Sequence, residues 1–85
     1  MNQQPIEWRI VKVRHNPVYA AYIDERRVAE VSAMGGDEDA DYQWEWRLMT
    51  DVYPKQGNRR TGSADNLRAA RGMVEFILGY SDASL

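Results

Sequence analysis

The sequence predicts an α+β fold: a single antiparallel β-meander of about four strands, with one C-terminal α-helix packed on one face. Three observations predict it. Short apolar segments with period-two alternation recur at turn-length spacing through the first half. Tyr42 to Met49 alternates without a fault, with Tyr42, Trp44, Trp46 and Leu48 on one side and Gln43, Glu45 and Arg47 on the other. Leu67, Ala70, Val74, Ile77 and Leu78 then recur at helical spacing.

The elements follow in order. Residues 7–15 read as a strand with a fault, because Trp8 and Ile10 share one parity and Val11 and Val13 the other. A bulge near Ile10–Val11 brings all four to one face, whereas burial on both faces is the alternative. Asn16-Pro17 is a turn signal. Val18 to Asp24 reads as the second strand and Asp24-Glu25-Arg26 as a polar turn. Arg27 to Ala33 reads as the third, with Ala29, Val31 and Ala33 facing the core. Gly35 to Asp41 is an exposed acidic loop before the Trp-rich strand, and Thr50 to Thr61 is a loop carrying Pro54 and Gly57. Ser63 is the expected N-cap of a helix over Ala64 to Leu78, with Asp65 in its first turn and Gly79 just past its end. Ala69, Met73 and Phe76 are expected to widen the apolar stripe. Residues 1–85 form one domain, with 1–5 and 80–85 as frayed tails.

Composition narrows the chemistry. Leu, Ile, Val and Phe supply only 16 of 85 residues, so the core leans on 3 Trp, 5 Tyr, 4 Met and 9 Ala. The absence of Cys excludes a disulfide framework and thiolate metal sites, and the single His excludes an all-His site within one chain. Neither a signal-like N-terminus nor an apolar run of membrane-spanning length is present, so a cytoplasmic location without membrane contact is expected.

The net charge of −2 hides segregation. Asp37, Glu38, Asp39 and Asp41 crowd one loop; Arg9, Lys12 and Arg14 gather near the start; Lys55, Arg59 and Arg60 gather in the late loop. Asp37-x-Asp39-x-Asp41 has the first three oxygen ligands of an EF-hand loop, but Tyr42 stands where glycine is required and Leu48 where the bidentate Glu is required. No metal is therefore expected, and the loop is either solvated or docks on a basic surface. Gly57 and Gly62 have P-loop spacing, yet Ser63-Ala64 replaces the Lys-Ser/Thr pair, which removes nucleotide hydrolysis. Arg59, Arg60 and a helix start at Ser63 leave an anion site open. Trp44 and Trp46 are the right residues for base stacking, but their parity places them under the helix. His15, beside Arg14 and Asn16, has no marked nucleophile near it in sequence. Neither enzymatic activity nor a cofactor is expected.

The run Trp44-Glu45-Trp46-Arg47-Leu48, then Pro54, Gly57, Gly62-Ser63 and Leu67-Arg68-Ala69-Ala70-Arg71-Gly72, resembles small proteins of proteobacteria and their phages that have no assigned chemistry. In size and layout the chain is also similar to anti-CRISPR proteins. That resemblance implies inhibition by binding. The leading expectation is a non-catalytic protein–protein interaction module of bacterial or phage origin, an inhibitor or regulator. It docks Asp37, Glu38, Asp39, Asp41 and Glu45, with Glu30 as a possible extension, on a basic surface of a nucleic-acid-handling complex. The alternatives are a weak nucleic-acid binder using Arg9, Lys12, Arg14, Lys55, Arg59 and Arg60, and a structural homodimer pairing sheet edges or open faces.

Overall fold

In the computed structural model, which describes residues 5–34 and 43–80, the meander has one strand more than the alternation predicts. The strands are β1 (Ile6–Lys12), β2 (Val18–Ile23), β3 (Arg26–Met34), β4 (Gln43–Leu48) and β5 (Thr61–Ala64), followed by α1 (Leu67–Ile77). They form one antiparallel sheet in the order β1-β2-β3-β4-β5.

β5 escapes sequence reading because its four residues, Thr-Gly-Ser-Ala, carry no alternation of large apolar side chains. Its place is fixed by its neighbour instead. Gly62 lies opposite Trp46, and a Cβ there would stand 2.7 Å from Trp46 Cζ2 and 2.7 Å from Arg59 Nη2. The bare glycine lets the indole lie across the strand, and the Arg59 guanidinium packs 5.7 Å from the Trp46 ring. Ser63 consequently pairs with Glu45 and does not cap the helix. The N-cap is Asn66, whose side chain accepts a hydrogen bond from the Ala69 N–H at 2.7 Å. The helix is correspondingly shorter than the expected span.

Its C-terminus is as the glycine signal indicates. Gly79 takes φ 86°, its N–H donates to the Phe76 carbonyl, and the Tyr80 N–H donates to the Glu75 carbonyl. These two bonds are a Schellman closure. Tyr80 therefore packs against the core and is not part of a frayed tail.

The bulge in β1 is present, a register shift between Ile10 and Lys12, and a second lies between Ala21 and Tyr22 in the β2–β3 pairing. The second bulge lets Val28 and Ala29 both be buried. The first does not bring its apolar residues under cover: Ile10, Val11 and Val13 are exposed, because α1 packs on β3, β4 and β5. β1 ends at Lys12, before Arg14 and His15, and the β1–β2 connection turns through His15 and Asn16, both at positive φ. Asp24 and Glu25 also have positive φ, as a two-residue type I′ hairpin requires.

The core lies between the sheet and α1. Ala21, Ala29, Val31, Trp46 and Leu48 from the strands meet Ala70, Val74, Ile77 and Leu78, with Val52 from the β4–β5 connection closing one end. Trp46 is 1% exposed; Trp44 is half-buried against the same cluster and tilts onto Tyr19 at 6.0 Å between ring centroids. Ala69, Met73 and Phe76 are exposed, so they do not widen the buried stripe.

Candidate functional site: the unroofed sheet face

Strand alternation assigns the sheet's second face. Glu7 and Arg9 of β1, Ala20 and Tyr22 of β2, Glu30 and Ser32 of β3, Gln43, Glu45 and Arg47 of β4, and Thr61 and Ser63 of β5 stand opposite the helix side. Among the described residues, no helix covers this face.

The face has two halves. In the first, charges neutralise one another around Tyr22. Arg9 bonds Glu7 at 2.8 Å and Glu25 at 3.0 Å, and its guanidinium lies 4.1 Å from the centre of the Tyr22 ring. Arg27 donates to the Tyr22 hydroxyl at 2.9 Å and to Glu30 at 2.9 Å; Glu30 also takes Arg47 at 2.8 Å. Hydrogen bonding from Arg9 holds the Glu7 carboxyl below its usual range, and the bonds to Glu7 and Glu25 push Arg9 further up. Arg27 is raised first by its bond to Tyr22, against burial.

The second half lies toward the end of the β3–β4 hairpin. There the register sets Lys12, Val18, Ser32, Glu45 and Ser63 in one row across the sheet, with Met34 opposite Gln43 beyond it. Glu45 is exposed and makes no ion pair with any described residue. Asp37, Glu38, Asp39 and Asp41 lie outside the described residues, as does the EF-hand-like run. In sequence they lie between Met34 and Gln43.

The basic residues are not brought together. Arg9, Lys12 and Arg14 belong to one edge of the sheet and Arg59 and Arg60 to the other, four strand spacings or about 19 Å away. Arg60 donates to the Met49 and Thr50 carbonyls and packs by Tyr53, Arg59 packs over Trp46, and Arg9 is held by two carboxylates. Lys55 is exposed in the β4–β5 connection, where its backbone N–H bonds the Ile77 carbonyl. The anion site formed by Arg59, Arg60 and a helix start at Ser63 is overturned, because Ser63 is a strand residue. His15 is exposed in the first turn.

The ring of Tyr22, Arg27 and Glu30 escapes sequence reading. Arg27 reads as an ordinary strand-start residue until the second bulge sets its register opposite Tyr22. One depression of about 650 Å³ opens beside the core, floored by Val28, Val52 and Leu78 and rimmed by the Arg26–Asp51 ion pair. Asp24, Tyr53, Lys55 and Tyr80 also line it. Among the described residues no three His, Cys, Asp or Glu side chains converge on a metal position, and no helix is long and apolar enough to cross a membrane. No family model, curated protein or solved structure matches the chain.

Proposed function

We propose that the chain is a non-catalytic protein-interaction domain, an inhibitor or regulator, that docks on a basic surface of a nucleic-acid-handling complex. Contact is made by the hairpin end of the open face: Glu45 together with Asp37, Glu38, Asp39 and Asp41. The observation that carries this reading is the partition of the face. Arginines on one half are already matched by Glu7, Glu25 and Glu30, while on the other half Glu45 is exposed and unpaired among the described residues, three strands away from the exposed Lys12, and adjoins in sequence a segment with four more carboxylates. Unmatched charge of one sign steers association with a surface of the other sign. Direct nucleic-acid binding is less well supported, because Arg9, Lys12 and Arg14 are separated from Arg59 and Arg60 by the width of the sheet.

The test is affinity capture from bacterial lysate with the wild type, with a D37N/E38Q/D39N/D41N variant and with Glu45→Gln. A nucleic-acid-handling protein retained by the wild type, released by moderate salt and lost with the neutralised loop supports the proposal. Equal retention by all three sinks the acidic mechanism. A gel shift at low salt that disappears steeply with added salt would instead favour phosphate binding.

A further inference from the structure

We propose that β1 is a self-association edge, through which two copies of the chain pair their first strands antiparallel about a twofold axis at Trp8. This goes beyond the docking reading and stands without it.

β1 is the outermost strand of the sheet, and among the described residues no element covers its free edge. At seven residues it is longer than β5, the opposite edge, and it carries the exposed Ile10. Unpaired backbone N–H and C=O groups along such an edge are a template for another strand.

The register follows from where regular pairing geometry stops. The bulge after Ile10 interrupts one end of the strand. Pro5, which has no N–H, precedes the other end. The regular stretch is therefore Ile6 to Ile10, and its midpoint is Trp8. A symmetric pairing that uses all of it sets Trp8 opposite Trp8, Glu7 opposite Arg9 and Ile6 opposite Ile10, each heteropair occurring twice. The charges are complementary, and the half-buried Ile6 of one copy covers the 59% exposed Ile10 of the other. Centring on Arg9 would set Arg9 against Arg9 and Glu7 against the bulged Val11; centring on Glu7 would set Glu7 against Glu7. Only the Trp8 register avoids like charges while keeping every regular residue paired.

This register also closes. Each copy uses up its β1 edge, and Lys12 and Arg14 beyond the bulge oppose extension of the ladder. The product is a ten-stranded sheet with both helices on one side and both open faces on the other. An interface of this length falls at the small end of the specific range, below about 1,200 Å².

Sedimentation velocity across a concentration series tests it, with circular dichroism confirming that each variant is folded. The wild type should move from the 9.8 kDa monomer toward twice that mass. Ile10→Lys, at an exposed position, and Glu7→Arg, which faces Arg9 of the other copy, should each weaken association at least tenfold. The charge swap E7R/R9E should restore it relative to Glu7→Arg. Amide exchange should slow with concentration at residues 6–10 and be unchanged at 61–64. A wild type that stays monomeric into the millimolar range, or a dimer indifferent to both single substitutions, overturns the proposal.

Discussion

Replacing Gly62 by alanine adds a single methyl group and should nevertheless destabilise the fold. The new Cβ would meet Trp46 Cζ2 at 2.7 Å, Trp46 Cε2 at 2.8 Å and Arg59 Nη2 at 2.7 Å. The arginine is a flexible side chain at the surface and can swing away. Trp46 cannot, because it is 1% exposed and held between the sheet and α1. Overpacking of this kind costs about 1–3 kcal/mol. Reduced freedom of the unfolded chain returns about 0.4–1 kcal/mol. A net loss of about 1–2 kcal/mol lowers Tm by about 5–15 °C in a domain of this size. Thermal melts followed by far-UV circular dichroism and by tryptophan fluorescence provide the assay. Gly72→Ala is the matched control: no atom lies within 4 Å of its added Cβ, so helix propensity alone should raise Tm by about 4–8 °C. Combining Gly62→Ala with Trp46→Phe removes the part of the indole that is struck. The double variant should therefore be more stable than the sum of the single losses predicts. A neutral or stabilising Gly62→Ala would refute the placement of Trp46 across β5, and with it the division of the sheet into a roofed and an open side.

The remaining expectations concern the helix and the surface ion pairs. Asn66→Ala should lose about 0.5–2 kcal/mol in a urea titration while Ser63→Ala changes little, since the cap is at 66. Glu75→Ala removes the acceptor of the Trp8 indole N–H at 2.9 Å and should cost about 0.5–1.5 kcal/mol, with a change in near-UV dichroism that Glu75→Gln largely avoids. The Glu7 and Asp51 carboxyls both titrate below their ordinary values, through hydrogen bonds first of all from Arg9 and Arg26 respectively. Their contribution is therefore present above the unfolded-state pKa and is lost as pH falls through the depressed folded values. Tm should hold steady from neutrality to about pH 5 and decline below about pH 4, with a shallower decline in the E7Q/D51N double variant.

Where side chains alternate in size and polarity, the fold was legible. β4 reads correctly over Gln43–Leu48 because large apolar and charged residues alternate there, while Tyr42 lies outside the described residues; β3 reads from Ala29, Val31 and Ala33. The bulge in β1 was visible as a parity fault, but not that its apolar residues stay uncovered. That depends on where α1 crosses the sheet, which no local pattern records. β5 was illegible because its signal is an absent side chain opposite Trp46, a relation between positions sixteen residues apart. The same gap misplaced the N-cap, since Ser63 is a suitable capping residue that the sheet claims first. At the candidate site, Glu45 could be read from alternation alone. The Tyr22–Arg27–Glu30 ring could not, because the bulge between Ala21 and Tyr22 sets its register. Clustering of basic residues along the chain misled for a simple reason: a meander carries the two groups to opposite edges.

The sheet joins each strand only to its predecessor and successor in the chain. Such wiring keeps loop-closure costs small and favours rapid folding for a β-rich domain. Strands can be laid down one after another as they leave the ribosome, each finding its neighbour already in place. The hydrogen bond from Trp8 to Glu75 spans 67 residues and links β1 to α1. It serves as a latch that closes only after all five strands and the helix have been made.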